Sequence, residues 1–198
     1  MRGTKTVSDF LADLEVESTL LGDSRNGVKV HLGFYRRATD ILGAMQSGPE
    51  LARLRSSPTA RLKLTGHSLG GAVAQILGAL LVDQNVPAER IGIYTFGAPP
   101  FTDETFSRKY GAIATWRVEA TGDTIPYVFN GPLAQYRHVG TRVALHENGA
   151  FGVGEPGVYP DFDQRVANPS LRILRGLPKH LLKLSYLPRM GFTVTLQL

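Results

Sequence analysis

Apolar and polar positions along the chain follow two different periods, which predict strands alternating with helices. Strict alternation over residues 61–65 predicts a short strand. Helical spacing over residues 72–81 predicts an apolar helix directly after it. Further strands are predicted over 28–32, 90–96, 115–120 and 191–198, and further helices over 34–45, around 51–54 and around 103–110. The pattern indicates an α/β chain.

The junction between the strand 61–65 and the helix 72–81 carries a candidate nucleophile. Its sequence, Gly66-His-Ser-Leu-Gly70, fits the G-x-S-x-G pattern of a nucleophile elbow. Ser68 would lie at the apex of a sharp turn in a strained backbone conformation, beside free N–H groups at the start of the helix. We expect side chains at positions 66 and 70 to collide with the neighbouring strand and helix, so that both must be glycine. The context predicts that Ser68 is a nucleophile, with a glycine-rich turn in another α/β fold as the alternative.

The same stretch carries a family resemblance. Thr65-Gly-His-Ser-Leu-Gly-Gly-Ala72 resembles the class 3 lipases, the fungal-type triacylglycerol lipase family of α/β hydrolases. Three further segments agree, in the family's order: Arg2-Gly-Thr4 followed by Phe10-Leu-Ala-Asp-Leu14, Val30-His-Leu-Gly-Phe34, and Tyr94-Thr-Phe-Gly-Ala-Pro99. The resemblance extends to about Gly140 and weakens afterwards. It implies a single domain over residues 1–198, with an α/β-hydrolase-like, mostly parallel central sheet flanked by helices.

The resemblance also implies most of a catalytic site. Thr4, after the Arg-Gly pair, and Leu69, after the nucleophile, would donate the two backbone N–H groups of an oxyanion hole. Asp123 lies in a Gly-Asp-Thr-Ile-Pro turn after the strand 115–120, where the family has its catalytic Asp. It would accept a hydrogen bond from the catalytic imidazole. Thr4 as a frayed terminal residue and Asp123 as an ordinary turn residue are the structural alternatives.

The catalytic base is the least determined member of this set. The chain order Ser, Asp, His leaves His138, His146 and His180. The late position of His180, on a loop or first helical turn, matches the family's final histidine, so His180 is the prediction and the other two are alternatives. His31 precedes the nucleophile in the family's His-x-Gly-Phe segment and is expected to be structural.

The start of the chain departs from the family. In the family a strand runs directly into the Arg-Gly pair, beside the nucleophile strand, whereas here Met1 begins at that point. We therefore expect the usual N-terminal strands to be absent. The strand 62–65 would then have an unpaired edge unless residues 191–198 substitute. A fragment, a wrongly chosen start and a compact variant all fit this observation.

An amphipathic helix is predicted near the N terminus. Thr6-Val-Ser-Asp9 resembles a capping box. The apolar residues that follow helical spacing are Val7, Phe10, Leu11 and Leu14. The helix is either a lid over the site, as in class 3 lipases, or an ordinary surface helix.

Composition adds limits to this picture. A chain of 198 residues with 42% hydrophobic residues can bury a core as one domain. It has no cysteine, which excludes disulfides and thiolate metal sites. No metal or organic cofactor is expected, because acyl transfer through a serine needs none. No signal peptide or membrane-spanning run is recognised, so the default location is cytoplasmic. The oligomeric state is not predicted.

Charge bears on partners. The net charge is +5 and the sequence pI is about 9.6. Such a surface can favour peripheral contact with an anionic lipid interface or with nucleic acid, and an ordinary solvated surface is the default interpretation. No cassette of aromatic and basic residues suggests nucleic-acid binding, so no nucleic-acid partner is expected.

The predicted function is hydrolysis of lipid esters by a Ser-Asp-His triad through an acyl-enzyme. Phospholipase A1, a feruloyl-type esterase or a thioesterase would keep the same triad with another substrate. From a different class, an inactive, truncated hydrolase domain would act only as a binding module.

Overall fold

Strands and helices alternate along the described part of the chain. The computed structural model describes residues 17–22, 27–128 and 136–154. Within these ranges the strands are β1 (Ser18–Leu20), β2 (Lys29–His31), β3 (Leu62–His67), β4 (Ile91–Phe96), β5 (Ala114–Ala120), β6 (Thr141–Leu145) and β7 (Phe151–Val153). The helices are α1 (Leu32–Gln46), α2 (Pro49–Ser56), α3 (Leu69–Asp83) and α4 (Thr105–Tyr110), with 3₁₀ turns at Ala88–Arg90 and Ile125–Tyr127.

The central sheet of the described residues contains β3 to β7 in that spatial order. Strands β3 to β6 are parallel, and β7 is antiparallel to β6. Strands β1 and β2 form a separate antiparallel pair. The predicted α/β-hydrolase-like, mostly parallel sheet is therefore confirmed. Because the parallel strands run in one direction, the residues that follow them lie together along the carboxyl end of the sheet.

Helix α3 forms the centre of the core. All its residues from Gly71 to Leu81 are buried, because it lies between the sheet and α1. Helix α1 buries Phe34, Ala38 and Leu42, which lie on one face of the helix at four-residue spacing. Burial of these apolar side chains stabilises the fold by about 25 cal/mol per Å² of apolar surface removed from water.

Strand β3 forms one edge of the sheet, as far as the described residues go, since it pairs with β4 alone. The side chains of Lys63 and Thr65 on this strand, and of Arg61 just before it, are exposed. Charged side chains on an edge strand discourage pairing with another chain. The predicted unpaired edge is thus present within the described ranges. The candidate substitute 191–198 and the N-terminal helix lie outside them.

Some boundaries differ from those predicted. β3 extends two residues past the predicted 62–65, since Gly66 and His67 continue the parallel register opposite Thr95 and Phe96. β7 was not predicted from the sequence. Its three residues are too few for alternation to be recognised. In the described ranges, no helix has both the length and the apolar character needed to cross a membrane.

Candidate active site

Ser68 occupies a turn of a single residue between β3 and α3. Its backbone has φ 58° and ψ −133°, a conformation that costs a non-glycine residue about 1–3 kcal/mol. Two backbone hydrogen bonds hold it there: the Ser68 N–H donates to the Phe96 carbonyl at 2.9 Å, and the Ser68 carbonyl accepts from the Gly71 N–H at 2.9 Å. The strand–turn–helix arrangement and the strained serine expected from the sequence are both present.

Close packing at the elbow explains two of its three glycines. A Cβ on Gly66 would lie 2.1 Å from the Gly70 carbonyl oxygen. A Cβ on Gly71 would lie 2.7 Å from the Ala98 Cβ and 3.0 Å from the Thr95 Cβ. The expectation for Gly70 was wrong as far as the described residues go, because a Cβ there would have none of them within 4 Å outside its own helix. The tight contact with β4 falls on the next residue, where α3 crosses that strand.

Leu69 begins α3, and its N–H is among those that helix geometry leaves without an intrahelical acceptor. The helix runs for 15 residues, so its N-terminus has a partial positive charge beside Ser68. These features suit the backbone N–H of Leu69 for contact with an oxyanion. The second predicted donor, Thr4, lies outside the described residues.

Asp123 follows β5 and has no exposed surface. Gly122, with φ 83°, supplies the turn that precedes it. The Asp123 N–H donates to the Ala120 carbonyl at 3.0 Å, and its Oδ1 accepts from the Ile125 N–H at 2.9 Å. The second bond is the turn role considered as an alternative. The parallel register of β3, β4 and β5 brings Ser68 and Asp123 to the same carboxyl end of the sheet, two strands apart.

The histidines that follow Asp123 differ in their surroundings. His180 lies outside the described residues. The Nε2–H of His138 donates to the Pro126 carbonyl at 2.6 Å. Burial, and then the nearby charge of Arg117, lowers the pKa of His138 to about 3. This imidazole therefore stays neutral and contacts the Asp123 loop through a backbone carbonyl, an arrangement that does not favour it as the base.

His146 directly follows β6, so it lies at the carboxyl end of the sheet, as Ser68 and Asp123 do. Its backbone closes the turn to β7: its N–H donates to the Ala150 carbonyl at 2.9 Å and its carbonyl accepts from the Gly149 N–H at 3.0 Å. The adjacent Leu145 carbonyl accepts from the Thr121 N–H at 3.0 Å. The turn of His146 therefore contacts the loop that leads to Asp123.

His31 has the structural role expected of it. Its Nδ1 accepts from the Gly33 N–H at 3.1 Å and caps α1. Its ring stacks on Phe34 with centroids 4.1 Å apart and lies near Tyr136.

Sequence reasoning missed a set of buried charges beneath the Asp123 loop. Glu119 lies between the guanidinium groups of Arg117 and Arg142. Arg142 Nη2 also lies 3.5 Å from the Tyr127 hydroxyl. An Arg and a Glu two residues apart in β5 were the available signal, since both side chains point to one face of the sheet. The second partner of Glu119 could not be identified, because Arg142 is on another strand.

These features define an α/β hydrolase: a serine at a strained strand-to-helix turn on a mostly parallel sheet, and an aspartate after a strand two places away, at the same carboxyl end. The family model for lipase (class 3) matches residues 1–132. The chain therefore belongs to the class 3 lipase family.

Individual proteins agree with this assignment. Toxin TseL of Vibrio cholerae is 30% identical over 60% of this chain and 18% of its own length. A secreted alkaline triacylglycerol lipase of Penicillium cyclopium is 27% identical over 71% of this chain and 51% of its own. The solved structure of lipase II from Rhizopus niveus superposes with a TM-score of 0.63 at 25% identity, covering 73% of this chain and 55% of the other. The chain thus spans about half the length of these lipases, and less of the toxin.

Proposed function

We propose that this chain is a serine carboxylic-ester hydrolase that acts on lipid esters through Ser68, Asp123 and His180. The observation that carries the proposal is the strained Ser68 turn at a helix N-terminus, with Asp123 at the same carboxyl end of the sheet. Membership of the class 3 lipase family supports a lipid ester as the substrate.

The proposed reaction has two halves. His180 removes the Ser68 proton while the serine oxygen attacks the ester carbonyl, and Asp123 stabilises the imidazolium. The N–H groups of Thr4 and Leu69 stabilise the tetrahedral oxyanion. His180 then protonates the leaving alcohol, and the acyl group remains on Ser68. Water, activated by the same imidazole, releases the acid and restores the serine.

A fluorophosphonate probe tests the nucleophile. Folded, monodisperse protein should be labelled at Ser68, as peptide mapping would detect, and should hydrolyse nitrophenyl esters. Ser68→Ala should abolish both. Ser56→Ala is the matched control, because the Ser56 hydroxyl is exposed at the end of α2 and its hydrogen bond within the described residues is to the Arg53 carbonyl. Equal turnover in the Ser68 variant would reject the proposal, and absence of labelling would favour a binding module.

The base and the substrate need separate experiments. His180→Ala should abolish turnover and His146→Ala should keep it, whereas the opposite result would assign the base to His146. Triacylglycerol emulsions compared with phosphatidylcholine vesicles, with released fatty acid as the readout, distinguish a triacylglycerol lipase from a phospholipase A1.

A further inference from the structure

A cluster of buried charged side chains lies beneath the loop that carries Asp123, and the proposed triad does not use it. We call Arg117, Glu119, Tyr127 and Arg142 the charged cluster. The side chain of Glu119 is 3% exposed, and those of Arg117 and Arg142 are each 11% exposed. The cluster contains two guanidinium groups and one carboxylate, so its charges do not cancel.

Glu119 holds the cluster together. Its Oε1 accepts from Arg117 Nη1, and its Oε2 accepts from Arg142 Nε at 2.7 Å. Both carboxylate oxygens are therefore bound to arginines on two neighbouring strands. The contact with Arg117 holds the carboxylate of Glu119 in place, and its other oxygen directs the Arg142 side chain.

Arg142 connects the cluster to the Asp123 loop. Its Nη2 lies 3.5 Å from the hydroxyl of Tyr127, the last residue of the 3₁₀ turn Ile125–Tyr127. Asp123 begins that turn by accepting the Ile125 N–H. His138 provides a second attachment through the Pro126 carbonyl. The side chains of Arg142 and His138 therefore contact two adjacent residues, Tyr127 and Pro126, in the turn that follows Asp123.

A gain in the stability of the fold does not explain such a cluster. A buried ion pair generally stabilises a fold no better than apolar side chains of the same volume, because both charges lose their hydration. Burial lowers the pKa of Arg117 despite the adjacent Glu119, which shows the same desolvation cost. What a directed ion pair does provide is one fixed geometry, here at the loop of Asp123.

We propose that Glu119 is a positioning residue: by holding Arg142 against Tyr127, it fixes the loop that carries Asp123. The inference rests on the proposed role of Asp123 as the partner of the catalytic imidazole. Without this support Asp123 would stabilise the imidazolium less well. The turnover number should then fall with little change in KM, and the apparent pKa of the acidic limb of kcat/KM should move down.

Two variants test the inference. Tyr127→Phe removes one hydroxyl and should lower kcat about two- to tenfold, the effect of one hydrogen bond. It should also move the acidic limb to lower pH. Glu119→Gln should act in the same direction and more strongly, because two buried guanidinium groups lose their anion. Should that variant fail to fold, Tyr127→Phe carries the test alone.

Tyr110→Phe is the matched control. The Tyr110 hydroxyl donates to Asp83 Oδ2 at 2.7 Å, at the far end of α3 from Ser68. Its removal should lower the free energy of unfolding without moving the pH profile. The same shift in the Tyr110 and Tyr127 variants would overturn the inference in favour of a general loss of stability.

A double-variant cycle shows whether the effect passes through Asp123. In the Asp123→Asn background, Tyr127→Phe should leave the residual rate unchanged, whereas a full additional loss would overturn the inference. If both cluster variants keep the parent kcat and pH profile while Asp123→Asn loses activity, the inference fails and the proposed function stands. If Asp123→Asn keeps activity, the proposed role of Asp123 fails first.

Discussion

Gly66→Ala and Gly70→Ala are two similar changes in one turn with opposite expected outcomes. A Cβ at position 66 would lie 2.1 Å from the Gly70 carbonyl oxygen and 2.6 Å from the Gly71 nitrogen. Contacts of that kind are not made below 3.0 Å, so about 1 Å of space must be created. The obstacle is the backbone of the first turn of α3, which cannot rotate away as a side chain can.

The magnitudes follow from this geometry. Extra atoms in a well-packed core typically cost about 1–3 kcal/mol, and a backbone obstacle places Gly66→Ala at or above the upper end. A Cβ at position 70 meets nothing within 4 Å, and Ala is favoured over Gly in a helix by up to about 1 kcal/mol. We expect the free energies of unfolding of the two variants to differ by about 3–4 kcal/mol.

Urea denaturation measures this difference through the fluorescence of Trp116, the single tryptophan of the chain. The labelling rate of Ser68 by a fluorophosphonate reports whether the turn keeps its shape. Gly66→Ala should lose most labelling, and Gly70→Ala should keep the parent rate. A Gly66 variant with the parent midpoint and rate, or a Gly70 variant that loses as much, would refute the steric reasoning.

Three other predictions concern residues around the site and in the core. The pKa of His138, lowered from 6.5 to about 3, means that the unfolded chain binds more protons between these values. Stability should therefore fall as the pH drops below about 6.5, by up to about 5 kcal/mol near pH 3, and His138→Gln should flatten the pH dependence of the urea midpoint. Arg90 donates to three carbonyls at the end of α2 and beyond it, so Arg90→Ala should cost about 1–3 kcal/mol of unfolding free energy with kcat unchanged. Asp123→Asn keeps an oxygen for the turn, so it should keep the parent's denaturation midpoint and lose about 10⁴-fold in kcat.

The parts of the site that local sequence determines were predictable. A serine between glycines, after an alternating segment and before a helical one, predicted the elbow, and the structure has a turn there with Ser68 at φ 58°. The packing partner of each glycine was only partly predictable. The particular neighbours of Gly71 could not be identified, because Thr95 and Ala98 belong to another strand and the loop after it.

The parts that depend on register could not be derived from local pattern. Arg117 and Glu119 alternate along β5 as the polar face of an exposed strand would. Only the parallel pairing of β5 with β6 brings Arg142 beside Glu119 and buries the set. His138 was considered as a base because chain order allows it. Its actual partner, the Pro126 carbonyl, depends on how the loop after Asp123 folds back.

The two turns of the proposed site are supported by different forces. Close backbone packing at Gly66 and Gly71, together with two backbone hydrogen bonds, holds the Ser68 turn, whereas a side-chain hydrogen bond and the buried ion pairs of Glu119 support the Asp123 turn. The two supports share no residue, and β4 separates their strands, a spacing of about 10 Å between backbones.

Such independence predicts additive effects on stability. Gly71→Ala introduces overlap with the Ala98 Cβ, and Tyr127→Phe removes a contact with Arg142. The unfolding free energy lost by the double variant should equal the sum of the single losses within about 0.5 kcal/mol. A larger coupling energy would mean that the two turns form one cooperative unit. In kcat the same pair should be less than additive, because the serine and the carboxylate act on one imidazole, and residues that act as a unit are not additive in rate.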